Sequence, residues 1–253
     1  MHAIVRECVG SCGGSGYAGG TEQKIARMVC CREKRVRDDA MADAKESLRT
    51  EFNEWAAQGR GEEMESHHIS IASQTIERMA LRPGERVLDL GCGAGWATRL
   101  LARAVKGEPG VAVGQDISDE MIARARSSST EIENILFTVG AADEIPWRDG
   151  CFDKVLSIES FYYYPDQEAV LRELFRVLAP GGRLFILINL FRENPYSLRW
   201  VEALNVPVHA RSEAEYAAML RAEGFAEVAT VRVPDLTPTR KSTAVSGLRA
   251  PPN

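Results

Sequence analysis

Apolar positions along this chain switch between two periods. Over 43–57 they fall at Leu48, Phe52 and Trp55, at helical steps, so a helix is predicted there. Gly59, Arg60 and Gly61 interrupt it. Helical spacing resumes over 63–80 through Met64, His68, Ile71, Ile76 and Met79, until Pro83-Gly84 turns the chain. Val87-Leu88-Asp89-Leu90 is a short apolar run ending in glycines, the pattern of a strand buried on both faces, and a helix follows over 95–105. The alternation then repeats. A strand at 111–114 leads to Asp116, and Ser118 is placed to cap a helix over 118–127. Further strands are predicted at 135–139, 154–158, 184–188 and 225–233, with helices over 166–178 and 212–223 between them.

Strands that alternate with helices imply an α/β fold with a parallel sheet covered on both faces. Right-handed crossovers make that sheet doubly wound, and such sheets bind ligands beyond the carboxyl ends of their strands.

Composition narrows the function classes. The 253 residues carry a net charge of −5, so no global pull toward nucleic acid or an anionic membrane is expected. No apolar run approaches the roughly 20 residues a membrane span needs. Four of the six cysteines (Cys8, Cys12, Cys30, Cys31) lie near the start in a spacing that suits a metal poorly, and no metal site is expected. A soluble, reduced, cytoplasmic protein is the default. Residues 1–42 read as a leader without fixed structure, glycine-rich at first and then basic: Lys24, Arg27, Arg32, Lys34, Arg35 and Arg37 stand against Glu33. A basic arm for an acidic partner, or sequence upstream of a start at Met41, are the other readings of that stretch.

The candidate chemistry begins at Val87-Leu88-Asp89-Leu90-Gly91-Cys92-Gly93-Ala94-Gly95-Trp96. Gly91, Gly93 and Gly95 carry no Cβ, so the backbone can turn sharply and approach a ligand. The helix that follows offers unpaired N–H groups to a carboxylate or phosphate. Asp116, at the end of the next strand, is placed to accept both hydroxyls of a ribose. Together they describe a nucleoside with an anionic attachment. The loop spells G-x-G-x-G, an imperfect pyrophosphate fingerprint.

This stretch resembles the first motif of class I S-adenosylmethionine-dependent methyltransferases, in particular the small-molecule group that includes ubiquinone/menaquinone biosynthesis. Further blocks agree in order: Gly114-Gln115-Asp116-Ile117-Ser118, Ala142-Asp143-Glu144-Ile145-Pro146-Trp147, Cys151-Phe152-Asp153 and Arg176-Val177-Leu178-Ala179-Pro180-Gly181-Gly182. The resemblance covers residues 50–233. It implies a Rossmann-like seven-stranded sheet in the order 3-2-1-4-5-7-6 and S-adenosylmethionine as cofactor. Asp89 would hold the amino group of the methionine part, with Gly91, Cys92, Gly93 and Gly95 forming the floor beneath it. Asp116 would take the ribose hydroxyls, and Ile117 would pack on adenine. Met121 either borders adenine or fills core. Ala142 would offer its N–H to adenine, and Asp143 either accepts from the exocyclic amine or is a solvated loop acid. Where relatives often carry an acid, this chain has Ala141. Cys92 behaves as a small apolar residue.

For catalysis, Glu159 follows the fourth strand, where cofactor and acceptor should meet. It touches the methionine part, orients a nucleophile, or is a surface acid. Tyr162, Tyr163 and Tyr164 either wall the pocket or pack in the core. His67 and His68 sit on a helix of the kind that closes over the cofactor in this family, pointing about 100° apart, so at most one enters the pocket. The expected organisation is a helical lid over 43–82, a cofactor-binding core over 83–238 and an irregular tail over 239–253. The segment 189–211, with Phe191, Tyr196, Trp200 and Leu204, lies where the family inserts substrate-binding structure. A small, partly apolar acceptor is expected as the partner, and no nucleic acid. The tail, with Lys241-Ser242-Thr243-Ala244-Val245-Ser246-Gly247 between prolines, is a poor strand, so the last strand is in doubt. A catalytically silent cofactor-binding domain and a nicotinamide-dependent oxidoreductase are the competing functions.

Overall fold

The computed structural model describes residues 21–198, 201, 204–235 and 241–251. Two compact units divide the chain, Met1–Glu46 and Ser47–Asn253. Helix α1 (Thr21–Ala57) begins in the first and ends in the second. The expectation of a structureless leader over 1–42 is therefore corrected from Thr21 onward; residues 1–20, with Cys8 and Cys12, lie outside the described residues. The stretch lacks an apolar stripe, which hid it. Yet it holds neither Gly nor Pro and is rich in Glu, Lys, Arg, Ala and Met, all strong helix formers.

The second unit is built on one seven-stranded sheet in the order β3-β2-β1-β4-β5-β7-β6. Its strands are β1 (Arg86–Leu90), β2 (Val111–Asp116), β3 (Ile135–Val139), β4 (Phe152–Ile158), β5 (Leu178–Ile188), β6 (Ala226–Pro234) and β7 (Lys241–Leu248). The first five run parallel, and β7 runs antiparallel to both β5 and β6.

The period of two is visible in which face each residue supplies. Val87, Phe185 and Leu187 join α2 (Arg60–Met79) and α3 (Trp96–Ala104) on one face through Ile71, Met79 and Leu101. Leu88, Leu90, Leu184 and Ile186 join α5 (Gln167–Val177) and α7 (Glu213–Ala222) on the other through Leu171, Leu174 and Tyr216. Each such fully buried Leu, Ile or Val contributes roughly 1.5–3 kcal/mol. Of the helical lid expected over 43–82, residues 47–82 fall in the same unit as the core.

The doubt over the last strand, and the irregular tail over 239–253, are corrected. β7 is a full strand between two neighbours, with Ser242, Thr243, Ala244 and Val245 buried. Its composition looked wrong because a strand crowded on both faces needs small residues. A Cβ on Gly247 would lie 2.9 Å from Phe225 Cβ and 3.2 Å from Leu220 Cδ2. Residues 236–240, 252 and 253 lie outside the described set.

At the opposite edge, β3 leaves Leu136 50% and Val139 38% exposed. Ala112 N–H donates to Asn134 O and Gly140 N–H to Asp116 O, so the even-numbered residues of β3 bond into β2 and the odd-numbered ones face outward. The outward carbonyl of Phe137 accepts from Arg126 Nη2 at 2.8 Å, from α4 (Asp119–Ser127).

Candidate functional site

β1 ends in Asp89-Leu90 and delivers the chain into the glycine loop. Gly91, Gly93 and Gly95 all have positive φ (75°, 51° and 75°), a region that L side chains avoid. Two of them are also pressed by neighbours. A Cβ on Gly91 would fall 2.5 Å from Ser160 Cβ, and one on Gly95 2.7 Å from Phe137 Cε1. Gly93 differs: nothing lies within 4 Å of where its Cβ would be. The loop is held from behind, since Gly91 N–H and Cys92 N–H both donate to Gln115 O, at 2.8 and 3.1 Å. Cys92 is buried and its thiol pKa is pushed up by burial, with Asp116 and Asp89 adding to it.

Two carboxylates flank the loop. Asp89 is 1% exposed, and its Oδ2 accepts a 2.6 Å hydrogen bond from Thr98 Oγ1 on α3. Burial lifts its pKa from 3.8 to about 7 against the pull of that bond, and Asp116 adds to the rise. Asp116 is held by one backbone donor on each oxygen: Gly93 N–H to Oδ2 at 2.8 Å and Ser118 N–H to Oδ1 at 2.9 Å. Its pKa is likewise raised by burial, with those donors opposing. Each oxygen keeps acceptor capacity for a further donor.

Helices α1 and α2 reach this loop. Gly59, at φ 76°, joins the two helices. A Cβ on Gly61 would lie 3.0 Å from Ala94 Cβ and 3.2 Å from Met121 Sδ, so α2 packs tightly on the loop at this glycine. Phe52, Trp55 and Tyr163 meet edge to face, with ring centroids 5.0 Å (Phe52–Tyr163), 5.3 Å (Phe52–Trp55) and 6.5 Å (Trp55–Tyr163) apart. Trp55 Nε1 donates to Glu51 Oε1 at 2.7 Å. Glu159, at φ 52°, accepts from the buried Tyr162 hydroxyl at 3.0 Å. Burial, then the charge of Glu159, pushes the Tyr162 and Tyr163 phenols upward.

Asp89, Gly91, Cys92, Gly93, Gly95 and Asp116 come together at the carboxyl ends of β1 and β2. Ile117 and Ala142 are partly buried against the main core. Met121 is buried with Ala56 and Ala94, and Trp55 packs against them. Asp143 is half-buried in the loop that follows β3. His67 is exposed, while His68 is 6% exposed and its Nδ1–H donates to Met64 O of its own helix at 2.9 Å. In the 189–211 segment Phe191 is fully buried and Tyr196 is exposed; Trp200 lies outside the described residues.

Several supporting residues were not singled out from sequence. Thr98 holds Asp89, and Asn53 bonds across to Ser118. Ser160 donates to Leu90 O at 3.1 Å and accepts from Tyr164 at 3.1 Å, bracing the loop. The Arg176 guanidinium ties the 145–149 loop to α5 through Glu173, Asp149 and the carbonyls of Ile145 and Trp147. Thr98 has a faint signal, nine residues after Asp89 on the next helix; the others depend on long-range contacts.

Among the described residues no helix is long and apolar enough to cross a membrane. Residues 81–224 match the profile of a family described as methyltransferase domain. Methyltransferase GfsG of Streptomyces halstedii is 37% identical over 120 residues, 46% of this chain and 42% of that protein. Ubiquinone/menaquinone biosynthesis C-methyltransferase UbiE of Vibrio cholerae is 37% identical over 116 residues, 45% of this chain and 44% of that protein. The matched stretch thus spans less than half the length of either curated relative. Among solved structures, the complex between the Haloferax volcanii Trm112 methyltransferase activator and a methyltransferase gives a TM-score of 0.73 at 32% identity, covering 79% of this chain and 98% of that one. The cofactor that goes with this family is S-adenosylmethionine. The donor set suits it: an acid buried beside a side-chain-free opening, and a second acid with spare acceptor capacity. With more than half of its length matched by that profile, the chain belongs to the methyltransferase-domain family.

Proposed function

We propose that this chain transfers a methyl group from S-adenosylmethionine to a small, partly apolar acceptor. The observation that carries the reading is the open bracket at Gly93 between Asp89 and Asp116. When bound, S-adenosylmethionine supplies an electrophilic methyl on a positively charged sulfur. Asp116 accepts the two ribose hydroxyls on the lone pairs its backbone donors leave open. Asp89 faces the ammonium of the methionine part, above the floor made by Gly91, Cys92, Gly93 and Gly95. Ile117 and Ala142 border the adenine, with Met121 behind them, and Asp143 accepts from the exocyclic amine.

On the acceptor side, Glu159 is the proposed base. It lies one residue from Ser160, which touches Gly91, and Tyr162 donates to it. His68 is the second candidate: the bond from its Nδ1–H to the Met64 carbonyl fixes the tautomer that leaves Nε2 basic, while His67 is on the exposed side of the helix. Phe52, Trp55 and Tyr163 exclude water from the transfer, where alignment and a dry site do most of the work. We further propose a cytoplasmic setting, consistent with free thiols at Cys92 and Cys151.

Calorimetry with S-adenosylmethionine, S-adenosylhomocysteine and NAD(H) tests the cofactor. Binding of the first two alone supports the proposal, and binding of NAD(H) alone overturns it in favour of an oxidoreductase. Incorporation of labelled methyl from the cofactor into a metabolite extract tests transfer. Binding without any incorporation favours a silent domain.

A further inference from the structure

We infer that Asn53 is a positioning residue for the ribose acid: it fixes Ser118, and through Ser118 the carboxylate of Asp116, so that the lid and the cofactor grip form one hydrogen-bonded unit. The inference rests on the cofactor reading above.

Asn53 sits in the last turns of α1, far along the chain from the strand that carries Asp116, yet its amide makes three contacts with the β2–α4 connection. Its Oδ1 accepts from Ser118 Oγ at 2.6 Å and, more weakly, from Glu120 N–H at 3.4 Å. Its Nδ2 donates to Asp119 Oδ1 at 3.0 Å. The arrangement has a fixed polarity. Ser118 has one hydroxyl proton, spent on Asn53, so its oxygen is left to accept from Met121 N–H at 3.0 Å and cap α4. The Ser118 backbone N–H is meanwhile the donor to Asp116 Oδ1. Swinging Asn53 away therefore releases the hydroxyl of a residue whose backbone N–H helps to orient that oxygen. The Asp119 carboxyl is held below its usual range, chiefly by the Asn53 amide.

A second contact fastens the same lid to the same site. Gly61 rests on Ala94 of the glycine loop and on Met121 of α4. The lid is thus seated on both arms of the proposed cofactor cradle, the loop after β1 and the helix after β2. Asn53 adds directional bonds to the acid-bearing arm, through Ser118 and Asp119.

The test is S-adenosylhomocysteine binding to the full chain by calorimetry and stopped flow, for the parent, N53A, N53D and N53D/D119N, with thermal melts of each free protein. Failure of the parent to bind overturns the cofactor reading itself. Given a binding parent, N53A should weaken affinity about 10-fold, through faster dissociation, on the scale of one charge-linked hydrogen bond. N53D should weaken it at least as much, because two carboxylates then face each other. The isosteric pair N53D/D119N restores every donor to an acceptor and should return to within about threefold of the parent, the sign of direct coupling between the two positions. A purely structural role would lower the melting temperatures without this rescue. Affinity of N53A within twofold of the parent, or a double variant no better than N53D, overturns the inference. Should N53A fail to fold, the size-conserving pair still decides it.

Discussion

The buried carboxyl of Asp89 makes cofactor affinity depend on pH. In the folded chain its pKa rises from 3.8 to about 7. The folded state therefore holds a proton there that the unfolded chain has lost, across the whole window between those values. Its contribution to stability is full below pH 3.8 and declines as the pH rises toward about 7. At about 1.4 kcal/mol for each of roughly three units, ionisation costs the free protein up to about 4 kcal/mol. A cofactor ammonium needs the ionised form. With a pKa near 7, about one molecule in ten is ionised at pH 6 and about nine in ten at pH 8, so affinity should be roughly tenfold weaker at pH 6, about 1.4 kcal/mol. Binding at pH 6 should also release close to one proton, read by calorimetry in buffers of different ionisation enthalpy. T98V removes the bond that favours the charged oxygen and should move the midpoint upward. D89N should stabilise the free protein at pH 8 while weakening cofactor binding. An affinity flat from pH 6 to 8, or proton uptake on binding, refutes this account of Asp89.

Three other outcomes follow from the same site. Asp116→Ala should weaken S-adenosylhomocysteine binding by about 1–3 kcal/mol with little change in the far-ultraviolet spectrum, because it removes acceptors for hydroxyls and no core packing. Gly95→Ala should cost about 1–3 kcal/mol in denaturant unfolding, since its methyl meets Phe137 at 2.7 Å and its φ is positive. Cys92 should resist alkylation in the native protein while half-exposed Cys151 reacts, mapped by peptide mass spectrometry; equal labelling would contradict the buried, poorly ionising thiol.

What could be read from the chain was local. Val87-Leu88-Asp89-Leu90 and the glycines after it carry both a period and a turn requirement within ten residues, and Asp116 follows at the end of the next apolar run. Ser118 was legible as a cap for the same reason, and its side chain does accept from Met121 N–H. Helix 21–42 escaped because propensity without an apolar stripe leaves no periodic mark. β7 escaped for the opposite reason. Its small residues answer to β5, β6, Phe225 and Leu220, none of which its own segment reveals. The contacts that complete the site were illegible for the same reason. Asn53 to Ser118, Gly61 to Ala94 and Ser160 to Leu90 depend on tertiary placement, while the residue types alone are ordinary on any helix or loop.

The outer rim of the sheet has a bearing on how the molecule keeps to itself. A parallel strand with exposed Leu136 and Val139 would otherwise offer a stranger's backbone a template for pairing. The Arg126 guanidinium already occupies the outward oxygen at the middle of that rim. A newcomer would have to evict a hydrated cation to gain one rung, and the greasy side chains alone give it no register to hold.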